Sequence, residues 1–188
     1  MADIVEVYKK YNNDFEKAVE ESGLPPFIAF IKLARAGVVT INDKIKFGTT
    51  AQKLGAMAEE EFQKLVPEAI NYNDVVKINN EFFDFKYKDV TIDVKYSSLH
   101  KRGNYSYWNF RANTTADLFV CFLEKEKGKN LNDSYLFVVP QTFAGKGSIT
   151  VTKDSYFFKG FCVERTELKN ILNAYQELKE ETGIVDEI

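Results

Sequence analysis

Two short and almost entirely apolar runs, DLFVCFLE (117–124) and SYLFVVP (134–140), constrain the fold more than any other feature of the sequence. Runs of this kind are typical of strands that are covered on both faces of a sheet. A long helical pattern, TTAQKLGAMAEEEFQKLVPEAI (49–70), lies before them, and its apolar residues recur at the spacing of a helix with one buried face. A second helical pattern, ERTELKNILNAYQELKEE (164–181), follows them. The sequence therefore predicts an α/β domain with a central mixed β-sheet flanked by helices.

Between these patterns the sequence carries three short β-rich runs and one stretch without a regular period. The runs are DVVKI (74–78), FFDFKYK (82–88) and VTIDVKYSS (90–98), separated by Asn-Asn and Lys-Asp turns. The stretch that follows, at 99–116, is polar and aromatic and is predicted as a loop or a helix. The expected order is therefore helix, three strands, loop or helix, two strands and a final helix.

Residues 1–48 have a different pattern and are predicted to form a separate N-terminal segment, with the main domain at 49–188. Three helical patterns lie there, at 4–11, 15–22 and 27–37, with Asp14 as an N-cap and Gly23 and Gly37 as helix ends. VVTINDKIKFG (38–48) has the pattern of a β-hairpin. Together these elements resemble a winged helix-turn-helix, in which Lys32 and Arg35 of the last helix would face DNA. A helical cap that buries its apolar residues on the main domain fits equally well.

Composition excludes several classes of protein. No apolar run approaches the roughly 20 residues that span a bilayer, and the first residues lack a signal peptide, so we expect a cytoplasmic protein with no membrane contact. His100 is the only histidine, which excludes a site built on two histidines. Cys121 and Cys162 lie in apolar runs without metal-type spacing and are predicted to be buried. The net charge is −3, yet the segment 75–111 has seven Lys or Arg against four acids, which suits a polyanionic substrate.

The segment FDFKYKDVTIDVKYSS (83–98) carries the residues that most strongly indicate a catalytic or metal-binding site. If 90–98 is a strand, Asp93 and Lys95 share one face while Ile92 and Val94 face the core. Charged residues rarely face a buried layer unless they are paired or bind a metal. Asp84 lies on the preceding strand, and the intervening turn would fold it against Asp93. Two converging carboxylates suit a hard cation such as Mg²⁺, which would activate a water while Lys95 stabilises the attacking oxygen.

This pattern, with its surroundings, resembles the PD-(D/E)xK nuclease superfamily from about residue 49 to the end of the chain. GAMAE at 55–59 fits the Gly-x-x-x-Glu of the family's first helix, and DVK at 93–95 matches its (D/E)xK. Asp84 matches the family's first metal-binding aspartate, with Phe83 where the proline stands.

The resemblance implies a restriction-endonuclease-like core and assigns roles to four residues. Asp84 and Asp93 would be metal ligands, Lys95 the catalytic lysine, and Glu59 a further metal ligand or the residue that holds a water. Two more glutamates adjoin Glu59 at positions 60 and 61, so the glutamate that faces the metal stays open at this point.

The stretch SSLHKRGNYSYWNFRANTTAD (97–117) interleaves basic and aromatic residues, which suits phosphate contacts and base stacking. The resemblance places it where such enzymes contact DNA. The candidate nucleic-acid-binding residues here are Ser97, Lys101, Arg102, Asn109 and Arg111. Trp108 and Phe110 are instead predicted to pack in the core, as large aromatic residues usually do.

The function implied by the resemblance is that of an endodeoxyribonuclease that uses Mg²⁺, with Mn²⁺ as a substitute and without a nucleotide cofactor. Cleavage of two strands or binding of a DNA junction would call for a homodimer. Restriction, junction-resolving and phage or repair roles all fit. One alternative is a non-catalytic DNA-binding regulator with a helix-turn-helix and a nuclease-like domain for assembly. Another is an α/β interaction module with an incidental Asp-x-Lys.

Overall fold

The computed structural model describes residues 3–38, 50–72, 82–129 and 131–182. The chain divides into two compact units, Met1–Ala56 and Met57–Ile188. The predicted strand at 74–78 and all but the first residue of the predicted hairpin at 38–48 lie outside the described residues. In the described part of the chain, no helix is both long enough and apolar enough to cross a membrane.

The N-terminal unit contains three short helices, α1 (Ile4–Lys10), α2 (Phe15–Ser22) and α3 (Pro26–Arg35), and the start of a longer helix at 50–56. The predicted cap at the start of α2 is confirmed, because a carboxylate oxygen of Asp14 accepts from the backbone N–H of Lys17. Gly23 ends α2 with a φ of 64°, a conformation that costs glycine little. The buried cluster of this unit includes Leu33 of α3, whereas Phe30 is 47% exposed. The third helix therefore buries only part of its circumference.

The second unit is built on a six-stranded mixed sheet. Its strands are β1 (Ile70–Asn71), β2 (Phe85–Tyr87), β3 (Val90–Ser97), β6 (Leu118–Leu123), β7 (Tyr135–Pro140) and β9 (Cys162–Val163), and they lie side by side in the order β1-β2-β3-β6-β7-β9. The β3–β6 pair is parallel and every other neighbouring pair in this sheet is antiparallel. A mixed sheet with helices is the architecture that the sequence predicts.

A second, three-stranded antiparallel sheet is formed by β4 (His100–Arg102), β5 (Tyr105–Ala112) and β8 (Gly147–Thr152), in that order. The prediction of a loop or helix at 99–116 was therefore wrong for most of that stretch. The alternation of apolar and polar residues along β5 is obscured in the sequence, because Tyr105 and Tyr107 are aromatic like core residues but lie at outward positions. The inward positions, Trp108 and Phe110, are buried, as predicted for these two aromatic residues.

Two long helices cover one face of the large sheet, and the small sheet with two short helices covers the other. On the first face lie α4 (Thr50–Leu65), from Met57 onward, and α7 (Leu168–Thr182). On the second face lie the small sheet, α5 (Gln141–Ala144) and α6 (Tyr156–Phe161). Two short 3-10 turns, Leu131–Asp133 and Arg165–Glu167, complete the described elements.

The central strand β6 shows why the apolar runs constrain the fold. All six of its residues are buried, with Leu118, Val120 and Phe122 in the core under the helices. Phe119, Cys121 and Leu123 lie in the core under the small sheet. Each large apolar side chain buried in this way contributes about 1.5–3 kcal/mol. The strand is therefore covered on both faces, as predicted, and it anchors the parallel neighbour β3.

Candidate active site

The β2–β3 hairpin brings Asp84 against Asp93. The backbone N–H of Asp84 donates to the carbonyl of Ile92 at 3.0 Å, which extends the pairing of the hairpin one residue beyond β2. The Oδ2 atom of Asp84 then accepts a hydrogen bond from the backbone N–H of Val94 at 2.8 Å. The carboxyl group of Asp84 is therefore fixed beside the strand that carries Asp93.

Asp93 is buried, with 1% of its surface exposed, and both of its carboxylate oxygens have partners. The ammonium of Lys95 lies 2.5 Å from Oδ1, and the hydroxyl of Thr114 donates to Oδ2 at 2.6 Å. Ile92 and Val94 point into the core on the opposite face of β3. Strand alternation thus places the two charged residues on one face, as the sequence predicts.

The pKa of Asp84 is raised from 3.8 to about 8. Burial is the largest cause, followed by the charge of Asp93, a hydrogen bond between the two carboxyl groups, and the charge of Glu59; the bond from Val94 acts in the opposite direction. At neutral pH, and without a bound metal ion, the Asp84 carboxyl therefore holds a proton next to Asp93. A divalent cation bound here would favour the ionised form of Asp84, because an opposite charge nearby lowers the pKa of a carboxyl.

Three adjacent glutamates on α4 have different surroundings. Glu60 forms an ion pair with Lys64 at 2.9 Å, and Glu61 forms one with Arg165 at 2.9 Å. Glu59 is the glutamate whose charge raises the pKa of Asp84, and one of its carboxylate oxygens is buried. Glu59 is therefore the member of the run that lies near Asp84.

The donor set at this site fits a hard divalent cation held by few protein ligands. Within the described ranges, no three His, Cys, Asp or Glu side chains are arranged to hold one metal ion, so the geometry does not support Glu59 as a third direct ligand. Two aspartates are nevertheless what Mg²⁺ commonly takes from a protein, with waters and substrate phosphate completing its coordination. Asp84 and Asp93 are the residues that would hold it.

Thr114 is a residue of this site that the sequence did not single out. It follows β5 by two residues and its backbone carbonyl accepts from the side-chain amide of Gln141 at 3.2 Å. Its hydroxyl reaches Asp93 only because the chain returns from the small sheet to the start of β6. No local pattern marks such a residue, since a threonine in a polar loop is ordinary.

The candidate nucleic-acid-binding residues fall into three places. Arg102, Asn109 and Arg111 are exposed on the small sheet, and Lys101 is exposed on the same strand as Arg102. Ser97 is buried, with 3% of its surface exposed, and its hydroxyl bonds to the backbone of Asn109.

The two N-terminal candidates, Lys32 and Arg35, are exposed on α3 in the other unit.

Cys121 is buried, as predicted, whereas Cys162 is only half-buried. Both thiols are free, and burial raises the pKa of each.

Comparison with known proteins finds no matching family model and no matching curated protein. Among solved structures, the chain is similar to a bacterial homing endonuclease, I-Ssp6803I. The identity is 14%, the match covers 70% of this chain and 98% of that chain, and the TM-score is 0.44. A likeness this distant assigns neither a family nor a function to the chain.

Proposed function

We propose that this chain is a metal-dependent endodeoxyribonuclease with Asp84, Asp93 and Lys95 at its centre. The observation that carries the proposal is the juxtaposition of two aspartates across the β2–β3 hairpin, with a lysine bonded to one of them. Burying a charged group is costly unless it is paired or binds a metal, and carboxyls with a strongly shifted pKa cluster at functional sites. The same residues carry the resemblance to the PD-(D/E)xK superfamily, whose core we propose for the second unit.

A bound Mg²⁺, or Mn²⁺ in its place, would supply charge neutralisation at the scissile phosphate and a more acidic water. Asp84 and Asp93 would hold the cation, and Asp84 would give up its proton to do so. Thr114 keeps the Asp93 carboxylate in one orientation through its bond to Oδ2. We propose that Glu59 orients a water at the edge of the site rather than acting as a direct ligand.

Lys95 has the position and the charge of a group that stabilises the attacking oxygen. Its side chain is 29% exposed, whereas that of Asp93 is only 2% exposed, so the ammonium is bonded to the aspartate and still reaches solvent. A positive charge fixed at that boundary can meet a phosphate oxygen or lower the cost of an approaching hydroxide. It does so without reorganisation, because Asp93 already holds it.

We propose that the substrate is DNA and that the protein binds it as a homodimer when both strands are cut. Exposed cations on the small sheet, Arg102 and Arg111 among them, and Lys32 and Arg35 on α3, suit a polyanion. Ser97 is assigned a structural role instead, because its buried hydroxyl is committed to Asn109. Restriction, junction-resolving and repair roles share this chemistry.

The test is cleavage of supercoiled and linear DNA by the purified chain with Mg²⁺, with Mn²⁺ and with EDTA. We expect cleavage with either cation and none with EDTA. Asp84→Asn and Lys95→Ala should each abolish cleavage while DNA binding persists, since contacts elsewhere supply most of the affinity.

Matched controls come from a second aspartate–lysine pair, Asp133 and Lys125, which lie 3.6 Å apart and are more exposed. Asp133→Asn and Lys125→Ala remove the same charges and should leave cleavage unchanged. Undiminished cleavage by Lys95→Ala, or cleavage in EDTA, overturns the mechanism. DNA binding without cleavage under every metal condition favours the non-catalytic regulator.

A further inference from the structure

The outer face of the small sheet has a composition that the core does not explain. Its inner face is apolar, with Trp108, Phe110 and Val151 in the core beneath it. Its outer face is polar and aromatic, and it forms an open depression lined by Arg102, Tyr105, Tyr107, Asn109, Thr150 and Thr152. Tyr105 is 71% exposed, so this is not a surface on which the aromatic residues are hidden.

The register of the sheet arranges these side chains in rows. Asn109 lies opposite Thr150, and the threonine hydroxyl donates to the Asn109 Oδ1 atom at 2.8 Å. Arg111 lies opposite Ser148 in the same register. Each row therefore offers hydrogen-bonding groups from two strands side by side. Arg and Asn are the side chains that best recognise guanine and adenine edges, and threonine can bond to a base or contact the thymine methyl.

The charge of the sheet complements a polyanion. The segments 98–112 and 146–155 contain five cations and one acid, Asp154, within a chain whose net charge is −3. The cations are Lys101, Arg102, Arg111, Lys146 and Lys153. Among the residues that the structure describes, none of the five is paired with a carboxylate. Their charge is therefore available to a partner.

The dimensions of the sheet fit the major groove of B-form DNA. β4 pairs only with Tyr105–Tyr107, so from Asn109 onward the sheet narrows to two strands, β5 and β8. A two-stranded ribbon is what that groove, about 12 Å wide, admits. Outward residues on one strand repeat every two residues, about 6.8 Å, which is close to two base-pair steps of about 3.4 Å.

We infer that the outer face of the β5–β8 ribbon reads base edges in the major groove and gives the enzyme its sequence preference. The inference rests on the proposed function for its substrate, double-stranded DNA. Asn109, Arg111 and Thr150 contact bases at the two-stranded end of the ribbon. Arg102 contributes at the other end, where β4 is still present.

Two side-chain hydrogen bonds connect the ribbon to β3, the strand that carries Asp93. Ser97, at the end of β3, bonds to the backbone of Asn109. Thr114, just beyond the end of β5, bonds to Asp93. The distance between the base-reading residues and the catalytic aspartate is therefore set by the fold. A fixed distance of that kind gives cleavage at a defined offset from the recognised bases.

The test is selection of bound duplexes from a randomised library by the full-length chain in EDTA, so that cleavage plays no part. We expect a preference at several base pairs. Asn109→Ala and Arg111→Ala should each relax that preference at different positions, by about 5- to 150-fold in discrimination. These side chains are exposed, so the melting temperature of each variant should match that of the parent.

Lys101→Ala is the matched control for Arg102→Ala, because each removes one cation from β4 and the two neighbours point to opposite faces. Lys101→Ala should weaken binding to all sequences alike and leave the preference unchanged. Equal effects of the two variants on affinity, with no change in preference, overturn the inference. Tighter binding of single-stranded DNA, or a selection with no preference at all, overturns it too.

The outcomes separate this inference from the proposed function. Sequence-selective binding without cleavage under any metal condition retains the reading surface and rejects the nuclease. Cleavage at random sequences retains the nuclease and rejects the reading surface.

Discussion

The hydroxyl of Ser97 forms two hydrogen bonds with the backbone of Asn109. It donates to the carbonyl at 2.7 Å and accepts from the N–H at 2.9 Å. Beyond Tyr107 the strand β4 no longer covers this edge of β5, and the serine satisfies the two backbone groups there. One side chain thus takes the place of a neighbouring strand.

Ser97→Ala should destabilise the protein by about 1 kcal/mol or more, because it leaves two partly buried backbone groups without this partner. Urea unfolding measures the loss. Hydrogen exchange at the Asn109 amide should accelerate more than exchange at amides of β6. The nearby Ser98→Ala provides the control, and an equal effect of both substitutions would show that the bond to Asn109 contributes nothing.

The raised pKa of Asp84 predicts how the protein responds to pH. Between pH 3.8 and about 8 the folded chain holds a proton that the unfolded chain has lost, so stability without metal falls as pH rises through that range. Cation binding releases the proton, so the apparent affinity for Mg²⁺ should rise with pH up to about 8. The shift in melting temperature caused by Mg²⁺ measures this at about pH 6, 7 and 8. A shift that is the same at each pH contradicts the prediction.

Two substitutions in the candidate site should change stability in opposite directions. Asp84→Asn removes a carboxyl that is costly to ionise there, and at about pH 8 it should stabilise the metal-free protein by about 1 kcal/mol or more. Lys95→Ala leaves the buried carboxylate of Asp93 without its cation and should destabilise by about 1–3 kcal/mol, less than for a fully buried pair because Lys95 reaches solvent. The melting temperatures of both variants without metal, compared with that of the parent protein, test this prediction. Destabilisation by Asp84→Asn would contradict the explanation given for the raised pKa of Asp84.

Thr114 should act as a positioning residue for Asp93. Thr114→Val keeps the shape but removes the hydroxyl, and cleavage should fall by roughly tenfold to a hundredfold, as expected for one bond to a charged group. Thr114→Ser keeps the donor and should restore most of the rate. Equal rates for the valine and serine variants would mean that the bond to Asp93 plays no part in cleavage.

The role of α3 is decided by charge reversal. If the helix meets DNA, Lys32→Glu with Arg35→Glu should weaken DNA binding and make its dependence on salt shallower. Lys9→Glu with Lys17→Glu changes the net charge equally at exposed positions on α1 and α2, and it serves as the control. If both double variants bind alike, α3 has no specific contact with DNA.

The parts of the fold that follow from local pattern were predictable from the sequence. β6 is buried on both faces because its six residues are apolar, and Asp93 and Lys95 share a face because strand side chains alternate. The cap at Asp14 is equally local, since its side chain bonds three residues ahead.

The parts that depend on distant residues were not predictable. β5 pairs with β8 through residues such as Asn109 and Thr150, 41 positions apart, so neither strand shows in its own sequence that it has a partner. The choice of Glu59 over its neighbours depends on Lys64 and Arg165, which take Glu60 and Glu61 as ion pairs. Thr114 gains its role only when the loop after β5 reaches Asp93.

The crossover between the parallel strands β3 and β6 holds β4 and β5 where a helix is the usual connection. Alternate residues of β5 support the core, and the residues between them touch little of it. Exchanges at those outward positions cost the fold little, since surface substitutions usually change stability by no more than about 0.5 kcal/mol. Substitutions at the outward positions therefore change the surface of the ribbon and leave the core beneath it intact. The outward positions of β5 are therefore the first ones to vary in a directed evolution of the chain.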